Sequence, residues 1–186
     1  NNASESLPYN SFKIENRAGA YAATQHLIER GHRRIGIILG PPHSHDVRER
    51  RKGYRAALHE AGIDPEAQPV IEGDFTQSSG YEAGRQLLNL DALPDAVFSC
   101  NDYMAIGAMA ALQKEGIRIP TDLAMAGFDD IPSAQYTTPS LTTIRVPVYD
   151  LGRHAAERLF SMIHAAEPER PCQTVLPTEL VVRAST

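Results

Sequence analysis

Short apolar runs alternate with longer segments of helical periodicity along almost the whole chain, and this alternation constrains the fold more than any other feature. The apolar runs predict strands at about 8–14, 34–39, 68–72, 95–99, 122–127, 141–145 and 173–176. The segments between them predict helices at about 16–30, 47–61, 77–90, 102–115 and 148–165. Such alternation is typical of βαβ crossovers, so the predicted fold class is α/β, a parallel sheet with helices on both faces.

Two of the predicted strands are apolar at every position rather than at alternate ones. These are the runs at 35–39 and 96–98. A parallel strand covered by helices on both sides has this pattern. The last residues, 178–186, form an extended segment that we expect to pair as an edge strand.

Capping signals at the predicted helix ends agree with the periodicity. Asp46 followed by Glu49 forms a capping-box pattern, which predicts a helix beginning at Val47. Asn101 is a predicted N-cap for the helix that follows it. Glycines just past the predicted ends of three helices are typical stop signals: Gly31, Gly62 and Gly116.

Composition excludes several classes of protein. The chain has 186 residues with 18 Lys and Arg against 23 Asp and Glu, and this acidic balance argues against binding of nucleic acid by this segment alone. No apolar run approaches the ~18 residues that a membrane span needs, and the first residues do not form a signal peptide. Cys100 and Cys172 match no metal spacing, so we expect reduced thiols and a cytoplasmic protein.

Polar and aromatic residues follow four successive predicted strands. Arg50 lies in the helix that follows the second strand and its loop, Phe75 follows the third strand, Asn101 the fourth, and Asp129 and Asp130 the fifth. In open α/β sheets, ligands bind just beyond the carboxyl ends of the parallel strands. The sequence therefore predicts a binding site at this edge.

The residue types at that edge suit a polyhydroxylated or nucleobase-like small molecule. Arginine offers five donors in a rigid fork. An aspartate accepts from neighbouring hydroxyls, asparagine both donates and accepts, and a phenylalanine ring covers a sugar or stacks on a base. A few convergent polar groups within apolar walls are the usual design of a small-ligand site.

Several of these residues also have a purely structural interpretation. Arg50 is then a solvated helix residue that pairs with Asp46 or Glu49. Phe75 is then part of the core, and Asn101 is only a helix cap. The sequence alone leaves both interpretations open.

Catalytic and metal-binding interpretations have weaker support. Asp129 and Asp130 either cap a short helix that begins at Pro132 or diverge in an extended loop, and neither arrangement suits shared acid–base chemistry. His43 and His45, beside an aspartate, lack the further ligands of a zinc site. The sequence contains no nucleophile elbow, Walker loop or other catalytic motif. We therefore predict no enzymatic activity, no cofactor and no metal.

Longer stretches of the sequence resemble the effector-binding core of the LacI/GalR family of bacterial transcriptional regulators. The resemblance extends from about residue 8 to the end, and it includes Gly-Phe-Asp-Asp at 127–130. Glu15 stands where the family usually has aspartate, and Ser140 where proline is common. The other matching stretches are 15–21, 26–35, 50–58, 73–75, 94–108, 139–144 and 180–186.

The resemblance implies a periplasmic-binding-protein-like fold of type I, with two α/β subdomains joined by three crossovers. In this scheme residues 1–15 end the N-terminal subdomain and form the first crossover, and residues 16–140 form the C-terminal effector-binding subdomain. Residues 141–166 return to the N-terminal subdomain, and 167–186 complete the C-terminal one. The helix-turn-helix of the family is absent from this chain.

The resemblance also implies which residues bind the effector. By match, the core contacts are Arg50, Asn101 and Asp129, and Phe75 stands where the family commonly has a stacking aromatic residue. Ser44 and Asp46 fall at more variable contact positions.

The implied function is that of an effector-sensing domain. It binds a small sugar-like or purine-like molecule in the cleft between the subdomains and modulates binding of operator DNA by the full-length protein, a homodimer that contacts DNA through its missing N-terminal domain. The alternative is a sugar-binding protein of a transport system with the same fold.

Overall fold

The computed structural model of the chain describes residues 9–165 and 170–186. The strands of this part are β1 (Ser11–Ile14), β2 (Ile35–Leu39), β3 (Val70–Glu72), β4 (Ala96–Ser99), β5 (Ala124–Asp129), β6 (Thr142–Arg145), β7 (Gln173–Leu176) and β8 (Glu179–Val181). The α-helices are α1 (Asn16–Glu29), α2 (His45–Glu60), α3 (Gln77–Leu88), α4 (Asp102–Lys114) and α5 (Val148–His164). Every predicted strand and helix is present. Residue 8, the predicted start of the first strand, lies outside the described residues.

The chain divides into two units. The larger unit comprises Asn16–Arg145 and Glu179–Thr186, and the smaller one comprises Val146–Thr178 together with the described part of Asn1–Glu15. These bounds differ from the predicted ones at two strands. The strand β6 pairs with β5 in the larger unit, and β7 pairs with β1 in the smaller unit.

The larger unit is built on a six-stranded sheet in the order β3-β2-β4-β5-β6-β8. The first five strands in this order are parallel, and β8 pairs antiparallel with β6 at the edge, as predicted for the end of the chain. Every residue of β2 and β4 is buried, as their continuous apolar pattern predicts. The helix α2 packs with α1, and α3 packs with α4. Crossovers of the usual right hand put these two pairs on opposite faces of the sheet. The α/β fold class is confirmed.

Strand order gives the sheet a topological switch point. The chain leaves β2 for β3 on one side and then crosses to β4 on the other side of β2. Crossovers of opposite direction leave a crevice at the carboxyl ends of β2 and β4, and this is where open α/β sheets bind ligands. The loops after β2 and β4 therefore flank the candidate site.

One predicted cap is wrong and the others are confirmed. The helix α2 begins at His45, and its N-cap is Ser44, whose hydroxyl accepts from Val47 N at 3.4 Å. Asp46 therefore lies in the first turn, because the extended backbone of Ser44 already ends the loop. Asn101 caps α4, as predicted. Positive φ angles occur at the three glycines predicted to end helices, Gly31, Gly62 and Gly116.

In the smaller unit β1 and β7 form a parallel pair, and Asn10 Oδ1 accepts from Cys172 N at 2.7 Å. None of the residues of α5 is buried in the described chain. Six of its large apolar or aromatic side chains are exposed, Phe160 and Ile163 by 67% each. No helix in the described residues has the length and apolarity needed to cross a membrane.

Candidate functional site

Arg50 lies at the centre of the candidate site and is buried, with only 7% of its side chain exposed. Its Nε donates to Asn16 Oδ1 at 2.8 Å, and its Nη1 donates to the carbonyl of Cys100. The same Nη1 lies 3.5 Å from Asp129 Oδ1. The guanidinium carbon lies 3.7 Å from the centre of the Phe128 ring, a cation–π contact. The helix α2 thus places a positively charged side chain at the switch point, and the contacts of Arg50 fix its position.

The contacts of Arg50 leave part of its donor capacity free. A guanidinium has five N–H groups, and the three on Nε and Nη1 are directed at protein acceptors. Nη2 donates to no group among residues 9–165 and 170–186. The interpretation of Arg50 as a solvated residue paired with Asp46 or Glu49 is wrong, because the side chain points into the sheet edge instead.

Asp129 lies opposite Arg50 at the end of β5 with 33% of its side chain exposed. Burial raises its pKa to about 6, and Asp46 also raises it. The Arg50 guanidinium lowers this pKa but does not offset burial. Asp129 therefore presents a carboxylate above this pKa and loses that charge in mildly acidic solution.

Asp130 points away from Asp129. Its carboxylate accepts from Arg145 Nε at 2.7 Å and from Arg183 Nη2 at 2.5 Å. The two aspartates therefore diverge, as predicted, and share no acid–base geometry. Neither caps the short 3₁₀ helix Pro132–Gln135, whose N-cap Ile131 has no side-chain cap bond, so that alternative is wrong.

Asn101 performs the predicted capping and one further task. Its Oδ1 accepts from Met104 N at 2.9 Å, and its Nδ2 donates to the carbonyl of Phe75 at 2.9 Å. Phe75 has a φ of 73°, in the left-handed region that residues other than glycine rarely adopt. Asn101 thus holds the loop after β3 against the loop after β4, and one amide N–H remains for other partners.

The Phe75 ring lies on the loop after β2. It is half-buried, and a Cβ placed on Gly40 would lie 2.3 Å from its Cε1 atom. The ring is therefore not part of the closed core. The ring covers the backbone of Gly40, and a side chain at residue 40 would displace the ring.

We expect Gly40→Ala to lower the free energy of unfolding by about 1–3 kcal/mol, the usual cost of overpacking. Thermal or urea unfolding measures the change. In a Phe75→Ala background the same Gly40→Ala substitution should cost much less, because the ring is the group that clashes. Gly152→Ala is a matched control, because a Cβ there meets nothing within 4 Å. Equal destabilisation by both alanines would contradict the packing of Phe75 on Gly40.

Ser44 and Asp46 have structural partners. Ser44 Oγ caps α2. The Asp46 carboxylate is 54% exposed, and its Oδ1 accepts from Asn16 Nδ2 at 3.0 Å. Both residues lie at the carboxyl edge beside Arg50, but in the part of the chain that the structure describes neither forms a hydrogen bond or ion pair with its guanidinium.

Asn16 is not among the predicted site residues, yet it lies inside the site. Only 5% of Asn16 is exposed. Its amide joins Asp46 to Arg50, accepting from the guanidinium and donating to the carboxylate. The signal is present in the sequence, because Asn16 comes soon after the first predicted strand, like the other site residues after theirs.

Comparison with known proteins gives one matching family model, described as a periplasmic binding protein-like domain, over residues 24–186. Among curated proteins, the transcriptional repressor PurR of Haemophilus influenzae (strain PittEE) is 40% identical over 169 residues, which is 90% of this chain and 50% of that protein. The repressor CytR of Escherichia coli K12 is 39% identical over 176 residues, 93% of this chain and 50% of that protein. The chain spans about half the length of these relatives.

Solved structures agree with the sequence comparison. The transcriptional regulator CelR in complex with cellobiose has a TM-score of 0.91 and 40% identity, covering 96% of this chain and 54% of that one. A LacI-family regulator from Enterococcus faecium with bound ribose has a TM-score of 0.89 and 29% identity, covering 95% and 65%. The chain therefore belongs to the family of periplasmic binding protein-like domains, and within it to the domains of LacI-family transcriptional regulators.

Proposed function

We propose that this chain is the effector-sensing part of a LacI-family transcriptional regulator. Its larger unit binds a small sugar-like or nucleobase-like molecule at the carboxyl edge of the sheet. The observation that carries the proposal is the buried guanidinium of Arg50, whose Nη2 lacks an acceptor in the described chain while Asp129 lies beside Nη1. Nη2 still reaches solvent, because it is not one of the fully buried unpaired side-chain atoms of the described residues, so its N–H groups are open to a ligand acceptor.

Each site residue then has a distinct role. Arg50 Nη2 donates to ligand oxygens or ring nitrogens, and the Asp129 carboxylate accepts from a hydroxyl or N–H group. The Phe75 ring covers one face of the ligand, and Asn101 offers its remaining amide N–H. Ser44 and Asp46 are peripheral contacts at the mouth of the site.

A sugar is the favoured class of ligand. Arginine and aspartate together bind vicinal hydroxyls, and an aromatic ring covers the C–H face of a sugar ring. Two structurally similar regulators have cellobiose and ribose in their solved complexes. A nucleobase is the second class, because the Phe75 ring also suits stacking.

In the full-length protein, effector binding shifts an equilibrium between two conformations that differ in operator affinity. We propose that the larger unit is the C-terminal subdomain and that the smaller unit contributes to the N-terminal one. Operator DNA is bound by a separate N-terminal domain of a cytoplasmic homodimer. The repressors among the relatives favour this function over that of a transport protein or an enzyme.

Calorimetric titration of the full-length protein with cellobiose, ribose, other mono- and disaccharides, purines and nucleosides tests the proposal. We expect one class to bind with heat that saturates at one site per chain. Asp129→Asn should weaken that binding roughly tenfold or more, since hydrogen bonds to charged groups contribute about 1.5–3 kcal/mol. Absence of binding by every compound, or unchanged binding by Asp129→Asn, would contradict the proposed site.

A further inference from the structure

A third carboxylate, that of Asp102, lies fully buried behind the candidate site. Asp102 is the first residue of α4, next to the cap residue Asn101, and none of its surface is exposed. Its Oδ2 accepts from the backbone N–H of Ile131 at 2.9 Å, and its Oδ1 accepts from Thr143 Oγ1 at 2.5 Å. One carboxylate thus joins α4, the turn after β5, and β6.

The sheet is shaped to admit this carboxylate. A Cβ placed on Gly127 would lie 2.2 Å from Asp102 Oδ1. Gly127 pairs with Thr143 across β5 and β6, so the missing side chain and the threonine hydroxyl lie at the same level of the sheet. The close approach is possible only because residue 127 is glycine.

The turn that Asp102 holds is strained. Asp129 has a φ of 112° and Asp130 a φ of 55°, both in the region that favours glycine. Such dihedral angles persist only where surrounding contacts fix them. Within this turn, the N–H of Ile131 is fixed by Asp102, and the side chain of Asp130 is fixed by Arg145 and Arg183.

We propose that Asp102 is a positioning residue that directs the Asp129 carboxylate towards Arg50 by anchoring the strained turn 129–131. It touches no ligand and acts through Asp129. The inference rests on the proposed role of Asp129 as an effector contact. Its test needs no effector, so a failure of this inference is distinguishable from a failure of the proposed function.

The test measures amide hydrogen exchange at Ile131 by NMR and the distance between Asp129 Oδ1 and Arg50 Nη1 in crystal structures. In Asp102→Ala we expect exchange at Ile131 to be roughly 10- to 100-fold faster, the equivalent of one lost hydrogen bond to a charged group. The Asp129–Arg50 distance should increase beyond 4 Å. Asp102→Asn keeps an acceptor for Ile131 N, so slow exchange and the short distance should both be restored.

Asp95→Ala is the matched control, because Asp95 also clamps backbone N–H groups, those of Arg33 and Arg34, away from the turn. It should leave both measurements unchanged. If Asp102→Ala does not fold, Thr143→Val removes one of the two anchoring bonds, and Thr143→Ser restores it. Persistence of the wild-type Asp129–Arg50 distance in Asp102→Ala, or in Thr143→Val where that variant is used, would overturn the proposal.

Discussion

Replacing Arg50 by alanine is expected to abolish measurable effector binding by the full-length protein. Truncating one partner of a buried, hydrogen-bonded charged pair costs about 2–5 kcal/mol, equivalent to a loss of affinity of roughly 30-fold to several thousand-fold. Removal of the guanidinium also leaves Asn16 and the Cys100 carbonyl without a donor and Asp129 without its counter-ion. Calorimetry with the ligand identified from the sugar and nucleobase panel measures the change.

Arg48→Ala is the matched control for this experiment. Arg48 lies on the same helix but is exposed, and among residues 9–165 and 170–186 its side chain donates only to the carbonyl of His43. It should bind the ligand with wild-type affinity. Arg50→Lys keeps the charge but loses the fork, so it should remain well below wild type. Thermal unfolding separates loss of binding from loss of fold, and a folded Arg50→Ala protein with wild-type affinity would contradict the assignment.

The second large effect concerns stability as a function of pH. Burial raises the pKa of Asp102 to about 7, although the bonds from Thr143 and Ile131 act to lower it. In the unfolded chain the same carboxyl has its ordinary pKa, so between about pH 4 and pH 7 the folded chain binds more protons. The free energy of unfolding therefore falls as the pH rises through this window.

Asp102→Asn removes the buried ionisable group, so it should unfold with a higher free energy than wild type at pH 8. The gain should be on the order of 2–4 kcal/mol, at about 1.4 kcal/mol for each unit of pKa shift. It should shrink towards pH 5, where wild-type Asp102 is protonated. Urea unfolding at a series of pH values measures both curves.

Asp122→Asn provides a control of opposite sign. Hydrogen bonds from the exposed Arg118 lower the pKa of Asp122 to about 2. The stability that this ion pair contributes is present above the ordinary pKa of aspartate and is lost as the pH falls towards 2. The variant should therefore be slightly less stable than wild type at neutral pH. A parallel pH dependence in wild type and Asp102→Asn would contradict the burial of a charge at Asp102.

The fold was predictable because its signals are local. Alternation of apolar runs and helical segments depends only on which faces each element buries. In β2, for example, all five residues are apolar and all five are buried. The parts of the fold that differ from the prediction depend on pairing between strands that are distant in sequence. Nothing local to residues 142–145 or 173–176 shows which sheet each strand joins, so the predicted domain bounds differ from those of the two units.

The sequence predicts which edge of the sheet holds the candidate site, but it does not predict how the side chains are arranged there. The rule that ligands bind beyond the carboxyl ends of strands brings Arg50 and Asp129 together. It does not show that Arg50 is buried, that its Nε is directed by Asn16, or that the start of α2 is capped by Ser44 instead of Asp46. These depend on backbone angles and on contacts between residues more than 30 positions apart.

The guanidinium of Arg50 and the carboxylate of Asp129 are the groups proposed to bind the effector. A crystal structure of the full-length protein with the sugar or nucleobase found by calorimetry would show both contacts. We expect a ligand acceptor within about 3.2 Å of Arg50 Nη2, a ligand donor at the same range from Asp129, and contact with the Phe75 ring. A ligand bound elsewhere, with Arg50 Nη2 still without a ligand partner, would contradict this proposal.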